Sequence, residues 1–189
     1  MIRTEEASGN WKFQDNVGKL IVTILKASDG TLWCRSDAGL LSYNGTNWTN
    51  HLPWDQPGIV DWKGLIYETK DGTVWFAYYS FKDRTPIRHE VGNSYYFVDE
   101  TKDGDIWVGG ALSGGGGPFL YDGNNWTLID GYGSRANALV CPYKTYQASD
   151  GLVWAHGREG LWSYDGTKWD KHLDGNGEAF FEDDDGTLW

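Results

Sequence analysis

The stretch Asp150-Gly-Leu-Val-Trp154 decides the fold of this chain together with Gly160-Leu-Trp-Ser-Tyr-Asp-Gly-Thr-Lys-Trp169, which follows it. Both motifs recur near the start of the chain. Asp29-Gly-Thr-Leu-Trp33 leads there to Gly39-Leu-Leu-Ser-Tyr-Asn-Gly-Thr-Asn-Trp48. Three more copies of Asp-Gly-x-x-Trp begin at Asp71, Asp103 and Asp185. A pattern repeated in this way indicates a chain built from similar structural units.

Each motif places Asp-Gly or Asn-Gly between two apolar runs, which predicts a hairpin with a two-residue type I′ turn. One unit is therefore interpreted as four antiparallel strands. In the first unit the strands are expected at Leu20–Lys26, Thr31–Arg35, Leu40–Tyr43 and Trp48–Leu52. The distance along the chain from one Asp-Gly pair to the next is mostly close to the range of about 40–50 residues that is typical of a propeller blade. The predicted fold is all-β, a β-propeller of four-stranded antiparallel blades with about four to five blades and no helix.

These motifs resemble the two-component regulator propeller repeat. Its pattern runs roughly Ile-x-x-Asp-x-x-Gly-x-x-Trp and is followed by Gly-Leu-x-x-Tyr. The resemblance covers about residues 18 to 189. It implies an extracytoplasmic sensor propeller, often a ring of about seven blades, joined to a membrane-spanning signalling module in the parent protein. The chain departs from the pattern because Cys34-Arg35 follows Trp33, where Gly-Thr is common, and because the second unit lacks the Tyr-Asp-Gly turn.

The repeat divides the single predicted domain, 1–189, into units. Their expected bounds are about 18–52, 64–90, 95–129, 143–173 and 179–189, with 8–14 as an orphan outer strand. The second unit is expected to have a weak third strand and no identifiable fourth. The strand of Trp11 could complete a fifth blade with Phe180–Asp184 and Thr187–Trp189, or the chain could be an open arc. We interpret it as a fragment of a larger propeller that self-associates in isolation.

Composition narrows the class of function. The net charge of −11 argues against nucleic acid or an anionic membrane as the partner. No apolar run is long enough to cross a membrane, so no direct membrane insertion is predicted. The N-terminal residues do not form a signal peptide. A periplasmic or extracellular location is therefore implied by the family resemblance alone.

Most tryptophans occupy the two repeat positions and are predicted to pack between blades. They are Trp33, Trp75, Trp107, Trp154 and Trp189 at one position and Trp11, Trp48, Trp126 and Trp169 at the other. Trp33, Trp107 and Trp154 are expected to be deeply buried in equivalent places. Trp162 is also expected in the core, whereas Trp54 lies in a connection between units and is expected to be more exposed.

The loops on the rim opposite the Asp-Gly turns vary between units, and such loops tend to carry function on a rigid scaffold. Exposed aromatic, arginine and amide groups there would suit a small polar, saccharide or carboxylate-bearing ligand. The predicted ligand-binding residues, all placed on that rim, are Trp54, Asp55, Lys82, Arg84, Tyr132, Arg135, His156 and Arg158. The alternative for each loop is a solvated connection without a ligand.

Evidence for catalysis is weak. No Ser or Cys has the context of a nucleophile, and no pair of histidines has metal-ligand spacing, so no catalytic residue, metal or cofactor is predicted. His51 and His172 share one repeat position, which favours a structural role. The predicted function is a non-enzymatic sensor or recognition propeller. A propeller lyase of the streptogramin type, with His156 as the most accessible base, and a five-bladed lectin are alternatives.

Overall fold

The computed structural model describes residues 3–5, 11–13, 20–53, 65–77, 79–89, 95–110, 117–132, 142–157, 160–175 and 181–189. These residues form strands and turns, with no helix among them. Within the same ranges, nothing has the length and apolarity of a membrane-spanning helix. The chain divides into two compact units, Met1–Arg88 and His89–Trp189.

The first unit contains one two-stranded and two four-stranded antiparallel sheets. Strands β1 (Arg3–Glu5) and β2 (Trp11–Phe13) pair with each other. The first blade consists of β3 (Ile21–Lys26), β4 (Leu32–Ser36), β5 (Gly39–Tyr43) and β6 (Trp48–Pro53). The second consists of β7 (Ile66–Glu68), β8 (Val74–Phe76), β9 (Tyr79–Lys82) and β10 (Thr85–Arg88). The strand of Trp11 thus has a partner, Arg3–Glu5, that the sequence did not predict.

The second unit contains two four-stranded antiparallel sheets, again with each strand beside its neighbour in sequence. The third blade consists of β11 (Tyr95–Glu100), β12 (Ile106–Gly110), β13 (Gly117–Tyr121) and β14 (Trp126–Leu128). The fourth consists of β15 (Lys144–Gln147), β16 (Val153–Gly157), β17 (Gly160–Tyr164) and β18 (Trp169–Leu173). Glu182 and Leu188 form an isolated antiparallel bridge. The prediction of an all-β fold with four-stranded antiparallel blades is confirmed.

The Asp-Gly pairs lie in tight turns, but the predicted two-residue type I′ geometry is wrong. The amide of Gly30 donates to the carbonyl of Ala27 at 2.9 Å, and the amide of Ala27 donates to the carbonyl of Thr31 at 2.8 Å. Gly30 has a φ of +85°, whereas Asp29 does not have a positive φ. These are the features of a three-residue hairpin loop that ends in a left-handed glycine.

The carboxylate of each turn explains why the geometry differs. Asp29 Oδ1 accepts a hydrogen bond from the amide of Thr31 at 2.8 Å. The acidic side chain thus stabilises the turn although the backbone of Asp29 does not adopt positive φ. The same contact joins Asp150 to the amide of Leu152 at 2.9 Å. The acidic residue therefore serves as a hydrogen-bond acceptor rather than as a residue that tolerates left-handed backbone.

The second blade is complete, which corrects the expectation that its fourth strand is missing. β9 turns directly into β10, with Lys82 paired to Thr85. The two residues between them, Asp83 and Arg84, have φ values of 49° and 62°. Positive φ at both central residues is the requirement of a type I′ turn. The sequence signal was missed because this turn contains no glycine.

The tryptophans of the first repeat position pack one blade on the next inside each unit. In the first unit Trp33 is 2 % exposed, and its ring centroid lies 5.0 Å from that of Phe81 in the second blade. In the second unit Trp107 is 3 % exposed and lies edge-on to Trp169 of the fourth blade at 6.2 Å. The predicted deep burial is confirmed for these two residues, and Trp75, which shares their repeat position, is 3 % exposed.

Trp154 departs from that prediction because it is only half-buried. Its ring lies 4.7 Å from that of His172 in its own blade. The described residues that follow this blade, 181–189, contain one bridge rather than a four-stranded sheet that could cover the ring. Trp189 is 74 % exposed, and Trp48, Trp126, Trp162 and Trp169 are half-buried.

Hydrogen bonds that the sequence did not predict join three of the Asp-Gly turns, those at Asp29, Asp103 and Asp150, to the segment that follows in the same unit. The amide and hydroxyl of Ser28 donate to the carboxylate of Glu68, at 2.6–2.9 Å. The amide of Lys102 donates to Gln147 Oε1 at 2.6 Å. The amide of Ser149 donates to Glu182 at 2.9 Å. We call these contacts the turn latches, since they hold successive elements together at the Asp-Gly rim.

The latch at Glu182 predicts a pH dependence. Hydrogen bonds from Ser149 and then from the hydroxyl of Tyr146 lower the pKa of Glu182 below its ordinary value of 4.5. A carboxyl group with a lowered folded-state pKa stabilises the fold above its unfolded pKa, and this contribution is lost as pH falls through the folded value. Hydrogen exchange of the amides of residues 181–189 should therefore accelerate relative to that of the fourth blade as the sample is acidified below pH 4.5.

The matched control is Glu182→Gln, which keeps an oxygen acceptor but cannot titrate. Other carboxylates of the segment still titrate in this variant, so the difference between the two proteins isolates Glu182. Equal acceleration in both proteins would contradict the prediction.

Candidate functional site

A cavity of about 220 Å³ lies between the first and second blades at the Asp-Gly rim. Its floor is formed by the side chains of Trp33, Val74 and Phe81, which are buried. Its walls come from the Asp29-Gly30 turn of the first blade and from the two hairpins of the second blade that reach this rim. The lining residues that carry charge are Asp29, Glu68, Asp71, Lys82, Asp83 and Arg84.

The β9–β10 hairpin brings Lys82 and Arg84 to this rim. A meander alternates its turns between two rims, so the third-to-fourth-strand turn lies at the same rim as the Asp71-Gly72 turn between β7 and β8. Lys82 Nζ accordingly donates to the carbonyl of Asp71 at 2.6 Å and to Asp71 Oδ2 at 2.8 Å. The sequence had placed Lys82 and Arg84 on the opposite rim, and that placement is wrong because they follow the third strand rather than the second.

The carboxylate of Asp71 is fully engaged. Oδ1 accepts from the hydroxyl of Thr69 and the amide of Thr73, and Oδ2 accepts from the hydroxyl of Thr73 and from Lys82. Partial burial raises the pKa of Asp71, but the hydrogen bonds from Lys82 and the two threonines outweigh it, so its pKa lies well below the ordinary value. Asp71 and Lys82 thus neutralise each other in the wall of the cavity.

Arg84 differs from Lys82 because its guanidinium forms no hydrogen bond or ion pair within the part of the chain that the structure describes. It is nevertheless close enough to act on its neighbours. The pKa of Asp29 is lowered by the hydrogen bond from the amide of Thr31 and further by the charge of Arg84. The pKa of His51 is lowered by burial and then by Arg84. The cavity therefore contains one cation whose donors are available to a ligand.

The remaining predicted ligand-binding residues are not brought to this cavity. Tyr132 is 5 % exposed and packs against Trp162 and Trp169, so the expectation of an exposed ring is wrong. His156 is 3 % exposed, which contradicts its selection as the most accessible base. Trp54, Asp55, Arg135 and Arg158 lie outside the described residues.

Two of the histidines share one structural arrangement. His51 Nε2 lies 2.8 Å from Ser42 Oγ, and the His51 ring stacks on Trp33 with centroids 4.8 Å apart. His172 Nε2 lies 2.8 Å from Ser163 Oγ, and its ring lies against Trp154. Both serines are buried. A Ser–His pair repeated in two blades beneath a tryptophan is a packing element of the blade rather than a nucleophile and its base.

The acidic residues that line the cavity were missed as site residues by sequence reasoning. Asp29 and Asp71 were interpreted as turn residues, which they also are, and Glu68 was not named. One signal was present in the sequence: the second unit replaces the Tyr-Asp-Gly turn of its neighbours with Lys82-Asp-Arg84. A departure from a repeat at one turn marks a position where a unit has a different role.

Comparisons with known proteins agree with the fold. No protein-family model matches the sequence, and no curated protein matches it. Among solved structures, the chain is similar to the extracellular domain of BT3049 from B. thetaiotaomicron, described as a hybrid two-component system. The TM-score is 0.62 and the identity 11 %, over 98 % of this chain and 31 % of that one. The extracellular domain of BT4673 from the same organism matches with a TM-score of 0.52 and 17 % identity, over 92 % and 32 %.

The chain is also similar to a catalytically inactive histidine-to-alanine variant of virginiamycin B lyase from Staphylococcus aureus, in a complex with quinupristin. The TM-score is 0.63 and the identity 16 %, over 93 % of this chain and 64 % of the lyase. The chain therefore spans about a third of the two extracellular domains and less than two thirds of the lyase. At these identities the likeness shows the fold alone, that of a β-propeller.

Proposed function

We propose that this chain is part of a non-enzymatic ligand-recognition propeller, comparable to the extracellular sensor portion of a two-component regulator. The observation that carries the proposal is the charged cavity between the first two blades. Its cations come from the β9–β10 hairpin, where the second unit departs from the repeat. In the other three blades the corresponding loops begin with Asn44-Gly45, Asp122-Gly123 and Asp165-Gly166.

A site formed by a departure from the repeat favours one ligand per chain. A lectin of equivalent pockets would repeat the same side chains between successive blades. In the part of the chain that the structure describes, Lys82-Asp-Arg84 has no counterpart in the other blades. This feature supports a sensor over a lectin.

The packing of the histidines supports recognition rather than catalysis. His51 and His172 each bond to a buried serine, and His156 is itself buried. A general base needs to come within hydrogen-bond reach of the proton that it removes from a substrate. Among the charged groups around the cavity, Lys82 and Asp71 form a fixed hydrogen-bonded pair and Arg84 keeps its donors for a ligand, which suits binding without chemical change.

The proposed function also implies where the chain acts and what it interacts with. As a sensor, the chain would act in the periplasm or outside the cell and would transmit occupancy of its site to a signalling module of the parent protein. Its ligand would be small and polar, in accordance with the size and charge of the cavity.

The proposal is tested by a thermal-shift screen of the chain against small polar metabolites, followed by calorimetric titration of any ligand that raises the melting temperature. We expect a stoichiometry of about one ligand per chain, and we expect the ligand to be recovered unchanged by mass spectrometry after prolonged incubation. Several equivalent sites per chain would favour the lectin alternative. Conversion of the ligand would favour a lyase, which the similarity to virginiamycin B lyase makes the enzymatic alternative.

A further inference from the structure

We propose that the cavity between the first and second blades binds a small zwitterion, an α-amino acid with an aliphatic side chain. The proposal rests on the recognition function and specifies its ligand class. In the bound state the ligand carboxylate would face Arg84, its ammonium group would face the surrounding carboxylates, and its side chain would rest on the apolar floor.

The charges of the cavity favour a ligand that carries both signs. Four carboxylates and two cations line it, so the lining has an excess of two negative charges at neutral pH. A simple anion such as phosphate would be repelled by this excess. A simple cation would leave the donors of Arg84 without an acceptor. A zwitterion satisfies both requirements.

The hydrogen bonds already formed in the cavity assign a role to each remaining group. Lys82 is paired with Asp71, whose two oxygens are occupied by four donors. Arg84 is exposed and has a planar group with five donors, which binds a carboxylate through two parallel hydrogen bonds. Asp29 accepts from Thr31 through one bond at each oxygen, so each oxygen retains a lone pair for an ammonium group.

The floor distinguishes an aliphatic amino acid from a sugar. Proteins often bind sugars by stacking the ring on an exposed aromatic face. Here Trp33 and Phe81 are 2 % and 1 % exposed and pack against each other with ring centroids 5.0 Å apart, so neither ring presents an exposed face on which a sugar could stack. Together with Val74 they offer a narrow apolar surface, which suits an aliphatic side chain. The cavity volume of about 220 Å³ is smaller than that of pockets for drug-sized ligands, which begin at about 300 Å³. A small volume is expected for an amino acid.

The experiment titrates the chain calorimetrically with four matched probes at neutral pH. L-Leucine carries both charges, isocaproate lacks the ammonium group, isoamylamine lacks the carboxylate, and glucose is neutral. We expect leucine to bind at about one site per chain, and each singly charged analogue to bind at least about tenfold more weakly, since each lacks one charge-assisted interaction. Glucose should give no binding heat.

Variants of the β9–β10 hairpin locate the site. Arg84→Gln should weaken leucine binding by about tenfold or more, and it should leave the binding of isoamylamine unchanged or stronger. A purely structural effect would weaken both probes alike. Arg84→Gly should have the same effect on binding without loss of fold, because glycine suits the φ of 62° at this position. The matched control is Arg88→Gln at the far end of β10, which should leave leucine binding unchanged.

Several results would overturn the inference. Isoamylamine binding as tightly as leucine would show a cation site, glucose binding in place of leucine would show a polyol site, and no binding of leucine at millimolar concentration would exclude the amino acid. These failures differ from a failure of the recognition function. A metabolite that is retained unchanged, with an affinity unaffected by Arg84→Gln, would preserve the function and reject this site. Consumption of a ligand would reject the function itself.

Discussion

Replacement of Trp33 by Ala is expected to lower the free energy of unfolding by about 3–5 kcal/mol, the range found when a buried aromatic residue is truncated. Trp33 is 2 % exposed and contacts both His51 of its own blade and Phe81 of the next. The substitution therefore removes a contact between two blades as well as buried apolar area. The free energy is measured by urea denaturation of the wild type and the variant, with circular dichroism as the signal.

The matched control for Trp33→Ala is Trp189→Ala. Trp189 occupies the same repeat position but is 74 % exposed, and its indole nitrogen donates to Asp183 at 3.0 Å. Because little apolar area is lost there, the control should cost no more than about 1 kcal/mol. Similar costs for the two variants would show that Trp33 does not join the blades.

Replacement of Gly160 by Ala is expected to cost roughly 2–5 kcal/mol, the sum of left-handed backbone strain and steric overlap. Gly160 begins β17 with a φ of +105°, and an added Cβ would overlap the carbonyl oxygen of Leu173 in β18. Since the obstacle is backbone rather than a flexible side chain, β18 would have to move. The melting temperature should fall accordingly.

Gly166→Ala is the matched control, because Gly166 has a similar φ of +95° but open space around it. It should pay only the conformational strain, about 1–2 kcal/mol. The difference between the two variants therefore measures the close approach of β17 and β18. A Gly166→Ala variant at least as unstable as Gly160→Ala would contradict this explanation of the Gly-Leu-x-x-Tyr motif.

The strand order could be predicted from sequence because every blade is a meander. Each strand pairs with its neighbour along the chain, and the Asp-Gly turn between the first two strands of a blade is marked by a glycine that adopts positive φ, such as Gly30 or Gly151. The turn type could not be predicted, because it depends on whether the backbone of the acidic residue adopts positive φ or its side chain accepts a hydrogen bond within the turn. Asp29 and Asp150 do the latter.

The candidate site was predicted in part. Lys82 and Arg84 were named from the sequence, but on the wrong rim, because the turn at Asp83 and Arg84 lacks the glycine that identifies the others. Glu68 was not named, since its contact with Ser28 joins residues 40 positions apart. Such contacts depend on how one blade packs on the next, which no local pattern describes.

The sequence by itself determined the all-β class, the four-stranded blades and the burial of Trp33, Trp75 and Trp107. These properties follow from local turn chemistry and from the alternation of apolar and turn residues. The tertiary structure alone decided the half-burial of Trp154, the turn latches, and the cavity in which Arg84 is left available. They depend on which groups face each other across blades, and that is set by the packing of residues distant in sequence.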